Sequence, residues 1–240
     1  MIEPEDICRI VLGCYTMPAA SSMAGEKIVA CAYLVRFDSG LLLFDTGIGT
    51  GHLESEEEFG PIIRRDLEET LGGAGTQISD VTVVANCHLH LDHCGGNPLF
   101  PKIPIFVQRD EMDALPTLDY IVPGLVDFNG ASLQIHEGEA KIAPGLRIIP
   151  TPGHTPGHQS LLIETTQGKV LLAGQAMDFA SDYARAHFTR GLLEQKPNES
   201  TDLFPDWFES LCELDVRAAL FAHDVLPWSK SLQSGEALTM

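Results

Sequence analysis

Three histidines and a carboxylate fall within six residues, His88-Leu89-His90-Leu91-Asp92-His93, in a chain of 240 residues that carries nine histidines in all. A third of the histidines in one hexapeptide argues against chance clustering. The stretch follows the apolar run Val81-Thr82-Val83-Val84-Ala85 and ends in Gly95-Gly96, so a strand is predicted to present its chemistry on a loop at its end. Two apart in extended chain, His88 and His90 project from one face and can grip a single ion. Asp92 and His93 stand where the chain must turn and can face a second ion or an adjacent water.

Three later loops complete the pattern. Thr151-Pro152-Gly153-His154-Thr155-Pro156-Gly157-His158 follows the apolar Leu146–Ile149, and its prolines and glycines fix the loop. That places His154 as a third nitrogen beside His88 and His90, and three histidines with an open fourth position form a catalytic rather than a structural zinc pattern. His223, in Ala222-His223-Asp224 beyond Ala218–Phe221, can join Asp92 and His93. Gly174-Gln175 lies past Val170–Ala173 in the same way. His158 is expected to hydrogen-bond structure rather than metal, and Cys94 to pack. His52, His136 and His187 stand alone.

Strands are predicted at Ile7–Cys14, Ile28–Phe37, Leu41–Phe44, Val81–Ala85, Ile105–Val107, Leu133–His136, Leu146–Ile149, Ser160–Glu164, Val170–Ala173 and Ala218–Phe221. An amphipathic helix is predicted over Glu56–Leu71, with Pro61 in its first turn and Gly72-Gly73 ending it. Shorter helices are expected at Arg109–Leu115 and Leu203–Leu214. Residues 116–132 form a connection long enough to suggest a substrate-lining role. Strands dominate each half with helices around them, which predicts a layered α/β sandwich in a single domain, 1–240.

With 15 Lys+Arg against 34 Asp+Glu, the net charge is -19. Such a surface repels phosphate backbones, so no nucleic-acid partner is expected, and a small neutral substrate fits better than a polyanion. No window approaches the roughly 18 apolar residues of a membrane helix, so no membrane partner is expected either. The acidic Met1-Ile2-Glu3-Pro4-Glu5-Asp6 lacks the basic start of an export signal, and six cysteines show no CxxC pair. Together these predict a cytoplasmic protein with reduced thiols.

The order His88-x-His90-x-Asp92-His93, then His154, then His223 resembles the ligand order of the metallo-β-lactamase-fold hydrolases. The resemblance implies a four-layer αββα sandwich with metals at one edge of two facing sheets. It also makes Asp45 of Asp45-Thr46-Gly47 the buried carboxylate that orients ligand histidines. Within that superfamily the chain looks most like the N-acyl-homoserine lactonases. Residues 120–163 carry this, above all Asp127-Phe128 and the loop from Thr151 to Leu161, together with Tyr33-Leu34-Val35 and Leu42–Gly47. The implied function is a metal-dependent hydrolase that opens a lactone with hydroxide generated at the metal. Asp92 would serve both as ligand and as proton carrier to the leaving alkoxide. The implied cofactor is one or two zinc ions, with manganese, iron and cobalt open, and a homodimer is allowed.

Two positions depart from that pattern. Dinuclear members carry a bridging aspartate where this chain has Gln175, a neutral and poorer ligand. The lactonases also tend to carry a tyrosine where this chain has Asp178. Either Gln175 stands back and the second ion binds weakly, or Asp178 swings in. Tyr183 or Tyr120 is then expected to supply the phenol. Phe128, Phe179 and Phe188 are offered for an acyl pocket, with core packing as the alternative. Other ester, thioester or β-lactam hydrolysis, and a metal-deficient binding protein, are the competing function classes.

Overall fold

The computed structural model describes residues 1–195 and 203–233. Strands β1 (Ile7–Thr16), β2 (Lys27–Phe37), β3 (Gly40–Phe44), β4 (Ile63–Arg64), β5 (Val83–Ala85), β6 (Pro104–Gln108) and β7 (Ser132–His136) make one sheet, in the order β4-β1-β2-β3-β5-β6-β7. A second sheet is made by β8 (Ala140–Ala143), β9 (Leu146–Pro150), β10 (Gln159–Thr165), β11 (Gly168–Gly174), β12 (Val216–Phe221) and β13 (Trp228–Ser229), in the order β13-β12-β11-β10-β9-β8. The helices are α1 (Leu53–Glu58), α2 (Leu67–Gly73), α3 (Leu91–Cys94), α4 (Arg109–Ala114), α5 (Pro123–Val126), α6 (Ala180–Leu193), α7 (Asp206–Glu213) and α8 (Lys230–Gln233).

The period of two along the central strands sorts side chains into three apolar layers. In β3, Leu41 and Leu43 face outward onto α2 residues Leu67 and Leu71, whereas Leu42 and Phe44 face the other sheet. In β11, Val170 and Leu172 turn inward to meet them, while Leu171 and Ala173 turn out towards Phe208 and Leu211 of α7. Strands with both faces buried read as continuous apolar runs, which is why Leu41–Phe44 and Val170–Ala173 stand out in the sequence. The result is helix, sheet, sheet, helix: an αββα sandwich.

Parallel pairing places the functional loops together. β3 pairs parallel with β5 (Phe44↔Ala85), and β11 with β12 (Gly174↔Phe221), so these strands end at one edge of their sheets. The sheets are joined there by backbone hydrogen bonds, Gln159 N–H to Cys87 O (2.8 Å) and Cys31 N–H to Ala222 O (2.8 Å). The phenol of Tyr33 adds a bond to Phe221 O at 2.7 Å.

One predicted element is corrected. The helix over Glu56–Leu71 is instead α1, a short strand β4 and then α2. Gly60-Pro61 is the cause: proline removes a helical donor and excludes its predecessor from the α region. The freed segment adds to the first sheet at Cys14↔Ile63, and Asp66 restarts the helix by accepting from Glu69 N–H at 2.8 Å. β8 and α6 had no predicted counterpart, and α7 begins at Asp206 rather than at Leu203.

Candidate metal centre

The hexapeptide sits where β5 ends. His88 lies in a bend three residues past the end of β5, His90 is the N-cap of α3, and Asp92 and His93 occupy that single helical turn. The turn is stitched to the loop after β3 by Thr46 N–H to His93 O (2.7 Å) and Gly49 N–H to Leu91 O (2.7 Å). The approach is so close that a Cβ at Gly95 would lie 2.0 Å from Gly49 N, which explains the glycine that ends the motif.

Four overlapping groups of candidate donors result among the described residues, and two of them consist of the predicted ligands alone. Ligand atoms of His88, His90 and His154 lie within 4.8 Å of one another, and so do those of His88, Asp92 and His93. His154 Nε2 stands 3.2 Å from His90 Nδ1. Asp92 Oδ2 faces His93 Nε2 at 3.5 Å and His223 Nε2 at 3.7 Å. The Nε2 atoms of His88, His93 and His223 are buried without a hydrogen-bond partner. Buried imidazole nitrogens left unpaired are costly, and several converging with a carboxylate are the donor set a divalent ion satisfies. The residues therefore fit a divalent metal.

Beneath them lies a polar floor that fixes ring orientation. Asp45, in the left-handed region at φ 64, accepts from Cys87 N–H (2.8 Å), from the Cys87 thiol (3.1 Å) and from His93 Nδ1 (3.0 Å). Cys87 Sγ also lies 3.1 Å from His88 Nδ1 and 3.2 Å from His93 Nδ1. His223 Nδ1 donates to Val29 O at 2.8 Å. For His93 and His223, bonds at Nδ1 turn the Nε2 lone pair towards the centre.

Burial is the largest influence on each titrating group. It lowers His90 to about 4 and His154 to about 3, and His88 well below its ordinary value, so these three stay neutral and available as ligands. For His93, burial is outweighed by Asp92 and then Asp45, which raise it to about 9. Asp92 is the counterpart: burial opposes its charge, but His93, His223 and His90 hold it below the usual carboxylate range. With the ion pair buried beside neutral ligands, a divalent cation would displace the His93 proton and take over the role of counter-charge.

Above the centre opens a cavity of about 440 Å³, whose floor includes His90, Asp92, His154 and His223. Its walls include Tyr15, Ile28, Phe59, Tyr120 and Phe179.

Residues 29–223 match the family model of the metallo-beta-lactamase superfamily. The chain belongs to that superfamily. Among curated relatives it is similar to an N-acyl homoserine lactonase of Bacillus thuringiensis subsp. kurstaki, 38% identical over 157 residues, 58% of this chain and 60% of the relative. It is also similar to an N-acyl homoserine lactonase of Agrobacterium fabrum, 33% identical over 129 residues, 47% of this chain and 48% of the relative. The chain thus spans about 60% of the length of the Bacillus relative and about half of the other. Among solved structures, an N-acyl homoserine lactone hydrolase with the product N-hexanoyl-L-homoserine bound at its catalytic metal centre superposes with a TM-score of 0.67 at 23% identity, covering 100% of this chain and 99% of that one. That likeness is one of fold.

Within this metallo-beta-lactamase site the structure brings together His88, His90, Asp92, His93, His154 and His223, with Asp45 beneath. Gln175, Asp178, Phe179 and Tyr120 line the cavity. Tyr183 and Phe128 do not, which corrects their assignment to the pocket. Tyr183 is buried among Phe208, Phe221 and Trp228 behind the second sheet, because α6 turns that face inward. Phe128 packs on the outer layer of the first sheet, and Phe188 is exposed. Asp178 does not swing in among the histidines; it accepts from Gln175 Nε2 at 2.9 Å. His158 is structural, its Nε2 accepting from Gln175 N–H at 2.9 Å.

Three residues had no sequence role. Tyr15, at the end of β1, donates to Asp92 Oδ2 at 3.1 Å. Glu111 of α4 is buried and accepts from Leu89 N–H (2.9 Å), Thr155 Oγ1–H (2.6 Å) and Gly157 N–H (3.1 Å), tying the two histidine loops together. Cys87 underlies two ligand rings. Only Glu111, an acid in an otherwise ordinary short helix next to a strand end, had a faint signal, and spacing alone cannot separate it from Asp110.

Proposed function

We propose that this chain is a zinc-dependent lactonase that opens a small neutral acyl lactone, an N-acyl homoserine lactone being the foremost candidate, and so quenches signalling that uses such molecules. The observation that carries the reading is the convergence of His90, Asp92, His154 and His223 on the floor of a largely apolar cavity, with the buried, unpartnered Nε2 atoms of His88 and His93 close by. The activity of the Bacillus and Agrobacterium relatives supports it. An ion held there would supply a water of lowered pKa, towards about 7, and a Lewis acid for a carbonyl oxygen.

The chain's own residues supply the rest. His88, His90 and His154 would hold one ion, and Asp92, His93 and His223 a second. Ile28, Phe59, Tyr120 and Phe179 offer an apolar wall for an acyl chain, and a volume of about 440 Å³ suits one small ligand. Asp92 Oδ2 faces the centre on one side and takes the Tyr15 hydroxyl on the other, so it can carry a proton to the departing ring oxygen. A lactone keeps that oxygen tethered to its acyl half, so one cavity serves both. The net charge of -19 suits a neutral substrate.

The test is a panel of acyl-homoserine lactones, aryl esters, thioesters and a chromogenic β-lactam. Lactones are expected to be turned over with the highest kcat/KM, and Asp92→Asn to lose turnover by about 100-fold or more. Preference for a thioester or β-lactam would overturn the substrate assignment, and retained turnover in Asp92→Asn would remove it as proton carrier.

A further inference from the structure

We infer that Asp178 orients and polarises the Gln175 amide so that Gln175 Oε1 serves the Asp92-His93-His223 ion as a ligand, a paired substitute for a single bridging carboxylate. This rests on the dinuclear reading of the site given above. A carboxylate has no hydrogen to donate, so the bond from Gln175 Nε2 to Asp178 Oδ1 at 2.9 Å fixes which end of the amide faces Asp178. The oxygen must turn the other way, and Gln175 lines the cavity floor beside His90, Asp92, His154 and His223.

The backbone is held as firmly as the amide. Gln175 N–H is taken by His158 Nε2 at 2.9 Å, and a Cβ on Gly174 would meet Cys87 Cβ at 2.5 Å, so the chain lies directly against the floor. Asp178 lines the same cavity as His223 and Tyr15. An anion bonded to the nitrogen end of an amide draws its dipole out and makes the oxygen a stronger donor to a cation. The negative charge that a neutral amide lacks is thereby supplied three residues further on.

Metal affinity measured by competition with a chromogenic chelator, with elemental analysis of the purified protein, tests this independently of turnover. Two equivalents are expected in the wild type. Asp178→Ala and Gln175→Ala should each weaken the second by about 10- to 100-fold and leave the first unchanged. The double variant should lose no more than either single one, because both remove the same contact. Asp178→Asn, whose amide oxygen still accepts but carries no charge, should recover only part of the affinity lost in Asp178→Ala. Wild-type affinity in Asp178→Ala, additive losses in the double variant, or a wild type that holds one ion only would each overturn the inference while leaving lactone hydrolysis standing. Absence of any bound metal, or no turnover of lactones by protein with two ions, strikes the functional reading instead.

Discussion

At Asp92 one carboxylate oxygen faces two imidazole nitrogens and accepts the Tyr15 phenol. Tyr15 sets a phenol on Asp92, whereas Tyr183, expected together with Tyr120 as the source of one, lies behind the second sheet. The two make opposite predictions. Tyr15→Phe removes a hydrogen bond to a charged group, worth about 1.5–3 kcal/mol, and should lower kcat by about 10- to 100-fold with metal content unchanged. Tyr183→Phe removes a hydroxyl that has no partner and should leave kcat within about twofold, since its ring packing stays. Steady-state kinetics on both variants would separate them, and equal losses would contradict the placement. The histidine ligands were legible because a strand edge fixes their spacing locally. Tyr15 was not, since it reaches Asp92 across 77 residues of sequence through sheet pairing that no local pattern encodes.

Among the elements, α4 has a role beyond packing. Its Glu111 receives two backbone N–H groups and one hydroxyl from the loops that carry His88, His90 and His154. Burial raises the Glu111 carboxyl above its ordinary value against the opposing pull of those donors, so the arrangement exists at some cost in charge desolvation. Glu111→Ala strands the donors, each costing about 1–3 kcal/mol where buried, and should lower unfolding stability by about 3 kcal/mol or more. Its affinity for the His88-His90-His154 ion should fall as well. Urea unfolding and chelator competition on the same sample check both, and an unchanged ion affinity would make Glu111 merely a packing residue. Elements with two buried faces announced themselves through unbroken apolar runs. The Glu56–Leu71 reading failed because amphipathic spacing continued through Gly60-Pro61, where backbone chemistry forbids the helix. α6 gave no signal because its buried residues are only Ala180 and Tyr183, too sparse a stripe to register.

For the whole molecule, the three apolar layers hold the sheet edges rigidly enough to keep neutral and charged imidazoles side by side. That has a consequence for stability in the metal-stripped chain. His90 and His154 titrate at about 4 and about 3 when folded, against 6.5 for an unperturbed histidine. Between those values the unfolded chain binds more protons, so their contribution is full above pH 6.5 and is lost as pH falls through that window. His93, raised to about 9, has the opposite sign: the folded state binds more protons between 6.5 and 9, and its contribution is lost as pH rises through that range. The two together predict that urea midpoints in chelator peak near pH 6.5 and fall on both sides. A midpoint rising steadily to pH 9 would contradict the charge assignment of His93. Among the described residues no helix is long and apolar enough to cross a membrane, in keeping with the composition.

A histidine cluster that opens lactones through a bound metal must release acid as it works. Proton release from an N-acyl homoserine lactone is followed with a pH indicator for the purified chain, after chelation, and after reloading with zinc. One proton per lactone consumed is expected, with loss of the signal on chelation and its return with zinc in proportion to the ion bound. Hydrolysis that survives complete removal of metal, or a reloaded chain that leaves the lactone intact, would contradict it.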